Sequence, residues 1–507
     1  MVVSDLADEI KSLLEVSITS DQRDVAFKSV VAGFRRAEQP LTTMRVLEVL
    51  GPALVDTSPI PRKRAVGLLA QIFENVPELQ LSKSDLSSIL KFMILKLEDW
   101  HCIDGAVKAL LFLLRHHKST AVGLTSVEHS DQSFVCVIFA KVIKHVHAPS
   151  YAQSLRQSVL ELLAVLLQEF DDEIITLGAD VVDGVIHECD DERDPRNLKV
   201  MFPLMGALVQ QYSSLISDKK VKEIGDMLFA YWPCAFEESP THPVSPVELN
   251  ECLVNVLANE VLVKYIMELL VHNAEDASES DSSRKDAVLL LNRFFNGFDP
   301  AFARSRIADS FILSLFQKCW EQDSQDPKRF HGPEQRNDFF DAVAQLFGTA
   351  VKSCFSTEEL SSTACDPPIW YDECCKSLVD RLLDEGMKPI VNKSVASCMQ
   401  MGSRAHISIL LIIWRSSVWS VIKTACEPSD LSYDVFMDKL RTNHLMLSHR
   451  GALHEPSWPI QFKNPAGDLQ NALLKRITAT QNADEQSSIF SLVRSCVEID
   501  SGTFFIN

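Results

Sequence analysis

From Asp194 to Ser245 the chain carries two helices whose starts and stops are set by residue chemistry, joined closely enough to fold back on each other. Asp194 can accept backbone N–H groups as an N-cap, and Pro195 takes the first helical position, where a missing N–H costs nothing. Leu198, Phe202, Met205, Leu208 and Val209 then fall on one face at helical spacing, and Tyr212 extends it. A second helix, over 219–230, stops at Tyr231-Trp232-Pro233, because proline disfavours helical geometry at the residue before it. Ser245-Pro246-Val247-Glu248 reopens a helix, combining proline at the first position with a capping box.

The same unit recurs along the chain. Ser84 is expected to cap a helix with Leu86, Ile89, Leu90, Met93, Ile94 and Leu97 on one face. Its partner at 103–115 carries Val107, Leu110, Leu111 and Leu114. The next pair is expected at 132–146 and 152–170, the latter with Leu155, Val159, Leu162, Leu163, Leu166 and Phe170 at helical spacing. A helix over 173–188 precedes the Pro195 helix, and Ser283-Arg284-Lys285-Asp286 reads as another capping box, opening a helix at 288–295.

Helix pairs arriving about every forty residues have the period of HEAT-type arrays, in which each pair leaves an apolar face that only its neighbours can cover. The expected class is therefore all-α, a HEAT-repeat α-solenoid, meaning a superhelical array of antiparallel helix pairs. The division expected is an N-terminal repeat domain over 1–271 and continuing helical repeats over 284–507. Stretches without periodicity, at 273–283, 323–337, 356–368 and 451–468, read as loops, and the pattern weakens between 296 and 334. A helix is expected at 485–498, and the apolar end Gly502-Thr503-Phe504-Phe505-Ile506-Asn507 reads as cut short or covered by another element.

Composition narrows the function. Seventeen glycines in 507 residues is about half of ordinary usage, which argues against parallel α/β folds with phosphate-cradling loops. A formal charge of −20 repels phosphate backbones, so direct nucleic-acid binding is not expected. The basic run Pro61-Arg62-Lys63-Arg64 reads as a solvated helix start. Thirteen cysteines are scattered without a CxxC, the pattern of reduced, buried thiols. The N-terminus is acidic and amphipathic, unlike a signal or transit peptide, and the apolar run at 407–414 is too short to span a bilayer. The expected location is cytoplasmic and nuclear, with no membrane.

No motif announces catalysis: the chain lacks a Walker loop, GxSxG, HExxH and GxGxxG. His145 with His147, and His116 with His117, point to different sides of a helix and read as surface histidines. His444, His449 and His454 do not share a helical face. Cys374 and Cys375, considered with Cys365, fall in an expected helix over 369–383 and point about 100° apart, which reads as one core cysteine and one at its edge. The acidic runs Asp171-Asp172-Glu173 and Asp190-Asp191-Glu192 suit helix N-termini better than a cation site. No catalytic, cofactor-binding or metal-binding residue is assigned. The partner-binding candidates are Tyr231, Trp232, Trp370 and Tyr371, aromatics beside prolines at helix ends. Aromatic staples between repeats are the commoner use of such residues.

Four segments in order carry a family resemblance. Residues 46–99, with Leu50-Gly51-Pro52, Gly67-Leu68-Leu69 and the end at Leu97-Glu98-Asp99 followed by Gly105-Ala106, resemble the N-terminal domain of the MMS-nineteen (Met-eighteen) family. The resemblance continues through 145–167, Asp194-Pro195-Arg196-Asn197-Leu198, and 231–249, where Trp232 replaces the family's usual phenylalanine. It covers about the first 270 residues and then fades to a general helical likeness. It implies a HEAT-repeat scaffold of the cytosolic iron–sulfur protein assembly machinery, part of a targeting complex that delivers clusters to apo-proteins. The implied partners are the other targeting subunits and client proteins, among them DNA replication and repair enzymes. The scaffold in that family is not known for catalysis or for carrying a cluster. Members are about twice this length, and their C-terminal repeats are associated with docking to the rest of the complex, so a truncated or short form is expected. The alternative is another HEAT scaffold, such as a karyopherin-like transport receptor holding basic cargo.

Overall fold

The computed structural model describes residues 3–412, apart from 16–18, 36–42, 77–78, 80, 127–131, 239–243, 277, 326–329, 362–367, 387–392, 407–408 and 410–411. The loop at 451–468, the helix at 485–498, Cys365, and the trio His444, His449 and His454 lie outside the described residues. The chain divides into two compact units, Met1–Ile266 and Met267–Asn507. Among the described residues the only sheet is a two-residue antiparallel ladder, β1 (Thr125–Ser126) on β2 (Gln132–Ser133), and the remaining elements are helical. No described helix is long and apolar enough to cross a membrane.

In the first unit, α1 (Val3–Leu14) and α2 (Ser20–Phe34) precede a run of pairs. These are α3 (Thr43–Leu54) with α4 (Pro59–Asn75), and α5 (Lys83–Lys96) with α6 (Ile103–His116). After the one-turn α7 (Lys118–Ala121) come α8 (Phe134–His145) and α9 (Gln153–Glu169). The one-turn α10 (Asp171–Ile174) leads to α11 (Asp180–Cys189) with α12 (Pro195–Gln211), then α13 (Asp218–Phe229) with α14 (Pro246–Leu257). The second helix of each pair packs on the second helix of the next: α4 on α6, α6 on α9, α9 on α12, and α12 on α14. That row is the HEAT-type array, and Leu69, Leu110, Leu163, Phe202 and Leu253 are buried along it. Each fully buried leucine contributes about 1.5–3 kcal/mol against about 1 kcal/mol for a helix cap, so stacking outweighs the local signals that set the helix ends.

Helix α15 (Val263–Glu275) runs across the division. The second unit then holds α16 (Asp281–Gly297), α17 (Pro300–Ile307), α18 (Ser310–Gln325), α19 (Pro333–Ser353), α20 (Thr357–Ser361), α21 (Tyr371–Cys374), α22 (Lys376–Gly386) and α23 (Lys393–Ala405). Its row is α16 on α19 on α23, and the guanidinium of buried Arg284 lies over both the Phe330 and Phe339 rings, 4.8 and 4.7 Å from their centroids. Helices α17 and α18 fill the stretch where periodicity weakens in the sequence.

Several local expectations are corrected. The cap of α5 is Ser82, whose Oγ accepts the Asp85 N–H at 3.1 Å, and Ser84 lies inside the helix. Likewise Ser280, not Ser283, caps α16. Ser245 caps α14 through Val247 N–H, but Glu248 pairs with Lys199 across to α12 at 2.7 Å, so tertiary contact replaces the expected box. The helix expected at 173–188 is broken in two by Gly178, whose φ of 67° lies in the left-handed region that glycine alone adopts freely. The helix expected at 369–383 breaks at Cys375. The basic run at 61–64 is not wholly solvated: Arg62 binds Asp99 and the carbonyls of Asp56 and Thr57, and Arg64 donates to the Leu14 carbonyl.

Candidate functional site

Arg62 organises an edge of the first unit at which apolar side chains are displayed. Its Nε donates to Asp99 Oδ2 at 2.9 Å, tying the α5–α6 turn to the start of α4. Lys96 Nζ donates to the Leu54 carbonyl at 3.0 Å and closes the same two turns together. Asp99 also accepts the His101 backbone N–H and the Cys102 thiol. Burial pushes the Asp99 carboxyl up, but the Arg62, Cys102 and His101 donors outweigh it and hold it below its ordinary value. Burial, with Asp99 beside it, pushes the Cys102 thiol up to about 11.

Trp100, between these fixed neighbours, is 70% exposed, with its ring against His101 at 3.6 Å. Val55, Ile60 and Leu95 are exposed on the same two joined turns. An exposed aromatic on an ion-paired turn, with exposed aliphatics on the same two joined turns, has the chemistry of a protein-binding anchor. Sequence reasoning missed it. The available signal was a tryptophan in a turn, off both flanking apolar stripes.

The four aromatics singled out in the sequence lie elsewhere. Tyr231 is half-buried, edge-on to Phe202, and Trp232 is half-buried and stacked on Phe229. Beside them Asn250 clasps the Cys234 backbone, accepting its N–H and donating to its carbonyl, both at 2.9 Å. Tyr371 is only 4% exposed. Trp370 is half-buried, donating Nε1–H to Glu359 at 2.7 Å and stacking under the Arg304 guanidinium at 4.1 Å. Among these positions the geometry is that of staples, with ring faces spent inside the chain.

The Asp194–Leu198 segment is a joint. Asp194 Oδ1 accepts the Arg196 N–H, as an N-cap does, and the Arg196 side chain folds back onto the same carboxylate. Asn197 is buried, donating to Glu192 Oε2 at 2.7 Å and accepting from Gln153 Nε2 at 2.8 Å. Glu192, also buried, receives Arg156 at two points, 2.8 and 3.0 Å, and the N–H groups of Arg193 and Asp194. Burial pushes Glu192 up, and Arg156, Asn197 and the Asp194 N–H outweigh it, so it lies below the usual carboxylate range. Of the acidic run 190–192, Asp190 closes α11 and Asp191 pairs with Arg193; the run holds α9, α11 and α12 together. Asp171, Asp172 and Glu173 occupy the first turn of α10, as expected of acids at a helix start.

Two clusters gather residues that the sequence reading kept apart. Cys374 and Cys375 are both buried, correcting the expectation of one core and one edge position, and Cys354 joins them with all three sulfurs within 4.8 Å. Cys354 lies twenty residues upstream on the far side of α20, beyond any local spacing rule. His145 and His147 diverge as expected: His145 Nε2 is 3.9 Å from Glu98, while His147 stacks on His187. Beneath that stack, burial pushes the Glu188 carboxyl up to about 7, against the pull of the Ala148 N–H. Of the other histidine pair, His116 is exposed and His117 half-buried.

Residues 47–314 match a family model, MMS19_N, described as Dos2-interacting transcription regulator of RNA-Pol-II. The human "MMS19 nucleotide excision repair protein homolog" is 30% identical over 254 residues, which are 50% of this chain and 23% of that protein. The Drosophila melanogaster "MMS19 nucleotide excision repair protein" is 27% identical over 296 residues, 57% of this chain and 29% of that protein. The Arabidopsis thaliana homolog is 25% identical over 236 residues, 46% and 20% of the two chains. The matched region thus spans less than a third of the length of these relatives. Among solved structures, the Kap121p crystal structure is 12% identical with a TM-score of 0.45, covering 99% of this chain and 46% of that one. An importin beta structure is 10% identical with a TM-score of 0.38, covering 99% and 66%.

Proposed function

The chain belongs to the MMS19 family, and from that premise we propose that it is a non-catalytic scaffold of cytosolic iron–sulfur protein assembly. On this reading it presents apo-protein clients, including DNA replication and repair enzymes, to the subunits that deliver the cluster. The family match over 47–314 carries the proposal. The matched relatives are named for nucleotide excision repair, which fits clients of that kind. Holding client and donor on one body raises their effective concentration without new chemistry.

The side chains agree with such a role. The charged networks at Glu192 and Asp99 are spent on joints between helix pairs, and the exposed anchor at Trp100 offers a contact for protein. A net charge of −20 suits protein partners better than nucleic acid. The proposed location is cytoplasm and nucleus, where such clients work.

Affinity purification of the endogenous protein with mass spectrometry tests the proposal. Recovery of iron–sulfur targeting subunits together with helicase or polymerase clients supports it. Recovery of import cargo and nucleoporins without assembly factors overturns it in favour of a transport scaffold.

A further inference from the structure

We propose that His147, His187 and Glu188 form a binding site for a single divalent transition-metal ion of the zinc class. The three side chains come from two places one repeat apart. His147 follows the end of α8, and His187 and Glu188 sit in the last turn of α11. They meet because α11 lies unusually close to α8: a Cβ on Gly184 would stand 2.8 Å from Ile143 Cγ1. One turn beyond that contact, the His147 and His187 rings stack with centroids 4.9 Å apart and planes 23° from parallel.

One ligand atom each from His147, His187 and Glu188 lie within 4.8 Å of one another. A tetrahedral ion with bonds of about 2.0–2.1 Å sets its ligands about 3.3 Å apart, so small rotations of two exposed imidazoles complete the approach.

The carboxylate supplies the independent observation. Glu188 is 2% exposed; its Oε2 accepts the Ala148 N–H at 2.7 Å, and its Oε1 is buried with no hydrogen-bond partner. Buried carboxylate oxygens are almost always paired. A cation at the imidazole pair gives Oε1 that partner, while the Ala148 N–H on Oε2 fixes the carboxylate as an outer-shell donor does. Two neutral nitrogens and one carboxylate oxygen suit zinc and its neighbours rather than calcium or magnesium, which take oxygen donors. Three protein ligands leave a fourth position on the solvent side for water or for a side chain of a bound protein.

The test uses the full chain, stripped with a chelator and kept reduced. Zinc is titrated against a fluorescent chelator, and cobalt(II) serves as a spectroscopic probe. Expected are tight, saturable zinc binding and a cobalt d–d spectrum; any thiolate charge-transfer band from Cys354, Cys374 and Cys375 should be unchanged by substitution of either histidine with alanine. His147→Ala and His187→Ala, both at exposed positions, should each weaken zinc at least about tenfold while leaving the circular-dichroism spectrum unchanged. His187→Cys should restore binding and add thiolate charge-transfer intensity. Absence of saturable zinc binding, or affinity unchanged in both alanine variants, would overturn the assignment.

Discussion

Gly105 on α6 approaches Gly67 on α4 so closely that a Cβ at position 105 would stand 2.9 Å from the Gly67 nitrogen and 3.0 Å from the Val66 carbonyl carbon. The obstruction is backbone, which cannot step aside as a side-chain tip can. A Cβ at Gly67 would meet nothing within 4 Å. Gly105→Ala should therefore destabilise the first unit by about 1–3 kcal/mol, the usual range for forced overpacking. Gly67→Ala should be neutral or stabilising by up to about 1 kcal/mol, because alanine is the better helix former. Urea unfolding of the two variants reads the contrast, and equal midpoints would show that the helices do not meet through these residues.

Glu192 takes two hydrogen bonds from Arg156 and one from Asn197 in a buried setting. Removing one member of such a set leaves the others without partners, which typically costs 3–5 kcal/mol for a fully buried pair. Arg156 keeps some contact with solvent, so Glu192→Ala is placed at the lower end, about 3 kcal/mol. The urea midpoint should fall accordingly, whereas Arg193→Ala, which breaks the exposed pair with Asp191, should change it little.

The same carboxylate gives the stability a direction in pH. Its folded pKa is lowered below the ordinary 4.5. The folded state therefore holds this proton less readily than the unfolded chain, and the contribution is complete above about pH 4.5. It is lost as pH falls through the lowered folded value. Midpoints measured from pH 6 down to pH 3 should drop in the unsubstituted protein and drop less steeply in Glu192→Gln. Parallel slopes would mean that other carboxylates dominate acid unfolding.

Trp100→Ala should leave stability within about 0.5 kcal/mol, since the ring is exposed and off the packed row. On the scaffold reading it should still reduce recovery of at least one partner tenfold or more, as loss of an aromatic anchor does. Undiminished recovery of every partner would remove Trp100 from the binding surface.

Much of the fold was legible because helix limits are written locally. Asp194, Pro195 and Pro246 act on backbone groups within three residues, and the structure places them as read. Misplaced caps, Ser84 for Ser82 and Ser283 for Ser280, differ by two or three residues because several serines in a row offer the same chemistry and packing selects among them. Glu248 shows the opposite case. Its spacing from Ser245 suits a capping box, yet Lys199 on α12 offers a full charge, and the carboxylate goes there.

The sites were less legible. Trp370 and Tyr371 look exposed beside their prolines, but the second unit folds Arg304, Phe355 and Glu359 around Trp370 and buries Tyr371. Trp100 gives no stronger signal in the sequence than they do, and it remains in solvent.

By itself, then, the sequence determined that this chain is a stack of antiparallel helix pairs and, through its ordered motifs, which family it belongs to. The first of these properties rests on hydrogen bonds and apolar periodicity within single helices, the second on the order of short motifs along the chain. Only the tertiary structure decided which side chains meet across pairs: Glu192 with Arg156, Cys354 with Cys374 and Cys375, His147 with His187. Partners separated by twenty to forty residues are chosen by how closely neighbouring helices approach, and that distance is set by what packs between them, as Gly184 against Ile143 shows.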